Sequence, residues 1–332
     1  MSARRLLLLV LLTATLGAAP RAVAQEAEIS TPTDETVANL AAGRVVIAVV
    51  KNAILVATVE NPIEAETRPP TPVPISSTRL GVLLGPVLWW SPSAKVEIAR
   101  LDQELPQMRS HLNAVEPHIQ EAQGGEEATD IESIGQGLLE RLTDVAQTLH
   151  ARVDLPANEP FVELVLVDYL PGYGPEIWQL SYRMKQSEQQ SGFWITRILR
   201  PAYLQFWPPE KGQPRTLVEF SYPPESVPQP LLDLIRQKDP RIEKIIASDP
   251  RMAQVAGLFL QGDSSRISVA DATQFLRAAL DAIAPPDARE TLAMITQDKG
   301  CEWILAPPPE PKTHLIPNER PAGAPTLQKP PE

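Results

Sequence analysis

The chain has 332 residues, 43% of them hydrophobic, with a single cysteine, four histidines and a formal net charge of −11. Such an acidic balance argues against a nucleic-acid partner or an anionic membrane surface, both of which need clustered Lys and Arg. The length allows one large domain or two smaller ones, with enough apolar content for a packed core.

The first element is an export signal. Residues 2–24, SARRLLLLVLLTATLGAAPRAVA, set Arg4 and Arg5 before a leucine-rich run and end in Ala22-Val23-Ala24, the small-x-small pattern that signal peptidase accepts. Cleavage is predicted after Ala24, toward the periplasm or the exterior. It removes Arg4, Arg5 and Arg21 and no acid, so the formal charge moves from −11 to −14. No membrane span is expected after that. Residues 25–42, with Ser30, Thr31, Thr33 and Thr36, read as a solvated spacer.

Residues 43–63, GRVVIAVVKNAILVATVENPI, hold two Val- and Ile-rich runs broken by Lys51-Asn52, which predicts a β-hairpin covered on both faces. Read as one membrane span, the same stretch would put Lys51 at the bilayer centre, where charge is disfavoured. Pro62 and the following PPTPVPI interrupt the ladder. RLGVLLGPV at 79–87 predicts a third strand, and the Trp89-Trp90 pair between Pro86 and Pro92 belongs to a core or an interface. Leu101, Leu105, Met108, Leu112, Val115 and Ile119 recur at helical spacing, with Pro106 expected to kink the helix. After the glycine and acidic break at 124–127, Ile131, Ile134, Leu138, Leu142, Val145 and Leu149 mark one face of a second helix.

A second hairpin is predicted from PFVELVLVDYL (160–170) and PEIWQLSYRMK (175–185), joined through PGYG. Residues 224–252 read as short helices capped at Asp239-Pro240 and Asp249-Pro250. Ser268 caps a longer helix to Ile283. TLAMIT, the turn QDKG and CEWILAP form a third hairpin. From Pro307 onward nine prolines in 26 residues and no apolar period predict an extended, disordered arm.

Metal chemistry has no support in the pattern: His111, His118, His150 and His314 lack ligand spacing, so neither metal nor cofactor is expected. Cys301 is alone, forms no intramolecular disulfide, and reads as a strand residue. Residues 185–249 are different in texture. Between Phe193 and Tyr222 stand seven of the 17 aromatics, interleaved with cations. Trp194, Arg197, Tyr203 and Trp207 are the candidate binding residues there, through stacking and cation–π contact. The plainer reading is packing of an added hairpin, GFWITRIL against TLVEFSY.

The order of these stretches resembles the proteasome β-subunit branch of the N-terminal-nucleophile hydrolases. The resemblance rests on AVVKNAILVAT, RLGVLLG, the helices within 94–150, FVELVLVDYLPGYGPEIWQLS and SVADATQFLRAALDAIAPPDARETLAMITQDKGCEWI. It implies an α+β fold over residues 43–306, a four-layer αββα sandwich with two antiparallel sheets between helix layers. In that family a mature first residue, Thr, Ser or Cys, is activated by its own α-amino group. Here the first strand opens with Ala42, Gly43, Arg44 and Val45, so no catalytic residue is assigned. The family's lysine has no counterpart between Lys51 and Lys95, and its acidic partner corresponds only to Glu60, displaced by about one position. The expected function is an exported, non-catalytic binding or assembly module, with self-association implied by analogy. Two alternatives stand beside it. One is a peptidase or amidohydrolase exposed by a second cleavage before Ser30, Thr31, Thr33 or Thr36; the other is a ligand-binding protein using the aromatic insert.

Overall fold

The computed structural model describes residues 36–62, 67–103, 105, 131–149, 160–170, 173–186, 196–209, 216–224, 229–307 and 316–317. In chain order the strands before the first described helix are β1 (Val37–Ala41), β2 (Gly43–Val50), β3 (Ala53–Glu60), β4 (Thr67–Arg68), β5 (Pro72–Pro74), β6 (Arg79–Ser91) and β7 (Val96–Arg100). Helix α1 (Ile131–Leu149) follows, then β8 (Pro160–Leu170), β9 (Gly174–Gln186), β10 (Thr196–Ile198), β11 (Ala202–Trp207) and β12 (Leu217–Tyr222). The remainder comprises α2 (Leu231–Arg236), α3 (Pro240–Ser248), α4 (Pro250–Gln261), α5 (Val269–Ile283), β13 (Glu290–Thr296), β14 (Gly300–Leu305) and β15 (Ile316–Pro317).

The fold is mixed α/β and mostly sheet. One sheet has five antiparallel strands in the order β12-β2-β3-β13-β14. The other has ten, on a path β10-β9-β8-β6-β1-β4, with β11 on β9, β5 and β7 on β6, and β15 on β7. The expected first hairpin is present residue for residue, Gly43 facing Glu60 and Val50 facing Ala53. Its turn is Lys51-Asn52, with Asn52 at φ 62°, a left-handed conformation that asparagine tolerates.

The unbroken apolar runs in β2 and β3 follow from what covers them. Val46, Ala48, Leu55 and Ala57 pack with Leu234, Ile242, Val255, Phe259, Phe275 and Leu276 of α2 to α5. The alternate residues Val45, Ile47, Ile54 and Val56 meet Leu80, Val82, Leu84, Val165 and Val167 of the larger sheet. A third cluster joins Leu83, Leu164, Leu166, Leu180 and Tyr182 to Ile134, Leu138 and Leu142 of α1. Since both sides of each central strand are buried, the period-two alternation of a solvated sheet has no place there.

Local chemistry sets the helix ends. Asp239 and Asp249 accept from the backbone N–H of Arg241 and Arg251, with Pro240 and Pro250 in the first turn, and Ser268 accepts from Asp271 N–H. The second and third hairpins also form as expected, β8 with β9 and β13 with β14.

The structure departs from the sequence reading in several places. Residues 37–41, read as spacer, form β1 inside the larger sheet between β6 and β4. The added hairpin does not form: β10 pairs with β9, whereas β12 pairs with β2 in the other sheet. Before Leu101 there is a strand, Val96–Arg100, on β6. The helix expected from Leu101 onward falls mostly outside the described residues, as do the signal segment, Ser30, Thr31, Thr33, all four histidines and Trp194. Of the C-terminal arm, Ile316–Pro317 pairs in parallel with Val96 and Glu97, and the rest after residue 307 lies outside.

Candidate functional site

The corner where β2 begins is where the resemblance would place a reactive hydroxyl. Gly43 sits between Glu60 of β3 and Tyr222 of β12. Its φ is +147°, and a Cβ added there would stand 2.9 Å from Asn61 N and well inside contact with the Val59 carbonyl oxygen. Only glycine fits this close approach of two backbones. The chain runs straight through the corner. Ala42 is fully buried, its N–H donates to Arg68 O at 3.3 Å and its carbonyl accepts from Asn61 N–H at 2.9 Å. On its far side β1 leaves for the other sheet, with Ala41 opposite Gly85 and Val37 opposite Trp90.

Arg44, the next residue, lies largely buried. Its Nε is 3.0 Å from Glu219 Oε1, and its Nη2 donates to Gln229 O at 3.1 Å. The second oxygen of Glu219 accepts from Leu231 N–H at 2.7 Å, so a carboxylate from β12 caps α2, whose own N-cap residue, Pro230, has no side-chain acceptor. Burial pushes the Glu219 carboxyl up, and Arg44 opposes that shift. Burial also pushes the Arg44 guanidinium down; Glu219 opposes this, and the positive charge of Arg241 adds to it.

Glu60 is engaged. Both its oxygens accept from Arg289, and Oε1 also accepts from Thr67 Oγ1 at 3.1 Å. The hydrogen bonds that Arg289 donates to Glu60 raise the Arg289 pKa. Beside it Asp102 accepts from Arg68 Nη2 at 2.6 Å and from Arg100 Nε at 2.9 Å. Burial works against the Asp102 carboxylate, yet the hydrogen bonds and charges of Arg100 and Arg68 together hold its pKa below the ordinary range. These are arginine-to-carboxylate ties that fasten strand ends.

A cavity of about 150 Å³ opens at this corner. Its polar lining includes Arg44, Arg241 and Asn61, and its apolar lining includes Leu234, Ile283 and Pro285. Arg241, at the exposed rim, is held by Asp239 through two hydrogen bonds of 2.9 and 3.0 Å.

Of the candidate binding residues of the insert, Tyr203 and Trp207 pack in different clusters. Tyr203 packs toward α1 with Trp178 and Tyr182, whereas Trp207 joins Phe206 and Phe220 in the cluster between the sheets. A bulge between Gln205 and Trp207 turns both Phe206 and Trp207 inward. Arg197 is placed by its backbone opposite Lys185, and Trp194 lies outside the described residues. Cys301 is half-buried on β14, its N–H donating to Ser77 O at 2.8 Å.

Sequence reasoning missed the Arg44–Glu219 pair. Its signal was present: one arginine in a strand otherwise made of buried apolar residues demands an acid, and LVEFSY supplies one. Among the described residues no three metal-ligating side chains cluster, and no helix is long and apolar enough to cross a membrane. Compared with known protein families the sequence matches none, and no curated protein is significantly similar to it.

Proposed function

We propose that the chain adopts the four-layer αββα sandwich of the proteasome β-subunit branch of the N-terminal-nucleophile hydrolases, and that after export it serves as a non-catalytic binding or assembly module. The stacking of apolar clusters supports the fold: helices α2 to α5 on one sheet, that sheet on the other, and α1 beyond. The order of the three hairpins supports it as well.

The observation that carries the functional reading is the closed corner at Ala42-Gly43-Arg44. Attack in this family needs a side-chain nucleophile beside a free α-amino group. Here the residue before Gly43 is a buried alanine bonded to two neighbouring segments, and the side chain after it is a cation tied to Glu219. Processing before Thr36 would leave the new terminus at the far end of β1, next to Val37 and its partner Trp90. At about 3.3 Å per residue that end is roughly 20 Å from Gly43.

The test uses exported full-length protein, its N-terminus sequenced and its mass measured before and after treatment with a fluorophosphonate and a β-lactone. The expected result is a Gln25 start and no covalent adduct. A Ser or Thr start carrying an adduct overturns the reading. Self-association, the assembly half, is read by size exclusion with light scattering, where a strict monomer at high concentration removes it.

A further inference from the structure

We infer that the open edge of β11 pairs with β11 of a second copy of this chain, antiparallel across a two-fold axis that passes beside Leu204. The inference rests on the assembly half of the reading above and names the surface that carries it. Among the described residues β11 has one neighbour, β9, so its other edge offers unpaired backbone N–H and C=O groups. Such an edge is a template for another strand.

The edge is held ready. On one face Tyr203 packs with the α1 cluster, so close to the helix that a Cβ at Gly135 would stand well inside contact with its Oη. On the other, Phe206 and Trp207 join the cluster between the sheets, the Phe206 ring meeting Phe220 edge-on at 4.9 Å. Leu204 lies between these anchors, opposite Gln179 of β9, and is 52% exposed. A strand already fixed in this way loses little entropy when another docks on it. The devices that blunt natural edges are confined to its ends: Pro201 precedes it, and the bulge between Gln205 and Trp207 closes it. Between them Ala202, Leu204 and Gln205 are exposed.

Charge names the occupant. The chain carries a formal −11, so two copies meet with least repulsion where the surface is neutral. AYLQFW holds no charged residue, and antiparallel pairing carries the exposed Arg200 of each copy to opposite ends of the ladder. The edge strand β14 also shows apolar side chains, Trp303 and Ile304, but Glu302 stands beside them, and self-pairing there would bring two carboxylates together. With the axis at Leu204 the two leucines face each other and Tyr203 lies opposite Gln205 of the second copy.

The experiment follows exported full-length protein by sedimentation equilibrium and light scattering from micromolar to millimolar concentration. A contact along one strand edge, about 20 Å long at about 3.3 Å per residue, is smaller than a standard interface of about 1,600 Å², so a reversible dimer of micromolar or weaker affinity is expected. Leu204→Lys weakens it at least about tenfold with an unchanged Tm, since the side chain is exposed and two cations then face each other. Leu204→Cys in a Cys301→Ser background gives a disulfide-linked dimer under mild oxidation, because Cα atoms of directly opposite residues lie about 4.5–5.5 Å apart, within disulfide reach. Trp303→Ala leaves the dimer constant as it was. The inference falls if Leu204→Lys dimerises like the parent, if the Leu204→Cys protein does not crosslink, or if Trp303→Ala dissolves the dimer; in each case the association itself, and with it the assembly reading, stands. A parent that stays monomeric at millimolar concentration defeats both. A covalent adduct at a Ser or Thr terminus defeats the non-catalytic reading and leaves the dimer untouched.

Discussion

Replacing Gly43 by alanine is the sharpest test of why no side chain stands at the head of β2. The new Cβ meets backbone on two sides, Asn61 N at 2.9 Å and the Val59 carbonyl oxygen closer still, in a residue at φ +147°. Neither obstacle is a side-chain tip that can swing away, so β2 and β3 must separate locally. A strained backbone conformation is worth about 1–3 kcal/mol and overpacking a further 1–3 kcal/mol, which gives a loss of about 4 kcal/mol. Against a total stability of about 5–15 kcal/mol this is a large fraction. Urea unfolding followed by tryptophan fluorescence, to which the buried Trp89 contributes, measures it. Gly137→Ala is the control: nothing lies within 4 Å of an added Cβ in α1, so it raises stability by about 0.5–1 kcal/mol. A Gly43→Ala protein within about 1 kcal/mol of the parent refutes the steric argument. A threonine at that position would then be permitted, and its absence would need another cause.

Three further outcomes are expected. Arg79 and Asp168 are both buried and joined by Nε to Oδ2 at 2.7 Å, with Thr78 Oγ1 donating to Oδ1 at 3.3 Å. Arg79→Met therefore lowers urea stability by about 3–5 kcal/mol, and adding Asp168→Leu restores most of it. Burial pushes the Glu163 carboxyl up, against the hydrogen bonds of Gln179 and Ser181 and the charge of Arg183. The folded chain thus keeps this proton to higher pH than the unfolded one, so stability falls as pH rises from the ordinary glutamate value through the folded value and is level above it. Glu163→Gln removes that slope in a pH series of denaturation midpoints. Ser268→Ala strips the acceptor from Asp271 N–H at the start of α5 and lowers stability by about 1 kcal/mol in the same assay.

The hairpins were legible because each combines β-branched runs with a turn of defined chemistry, Lys51-Asn52, PGYG and the turn before Gly300. The helices from Pro240 onward were legible from Asp-Pro and Ser caps. VANLA was not, since five residues with one asparagine carry too little period to reveal β1, and its burial comes from β6 beside it. The partner of TLVEFSY was hidden for a different reason. Local pattern marks a strand but not its neighbour, and the neighbour of β12 is β2, more than 160 residues away in the chain. The closed corner was half visible: Gly43 and Arg44 are plain in the sequence, while the cavity and the carboxylate at Glu219 arise only when β12 and α2 reach it.

The single-residue passage at Ala42 makes a strand inside one sheet and the second strand of the other a single mechanical member. Severing the chain there would release β1 from β6 and leave the Gly85–Trp90 ladder with an unsatisfied, sticky margin. A cut at this step would therefore expose a sheet edge that the intact chain covers.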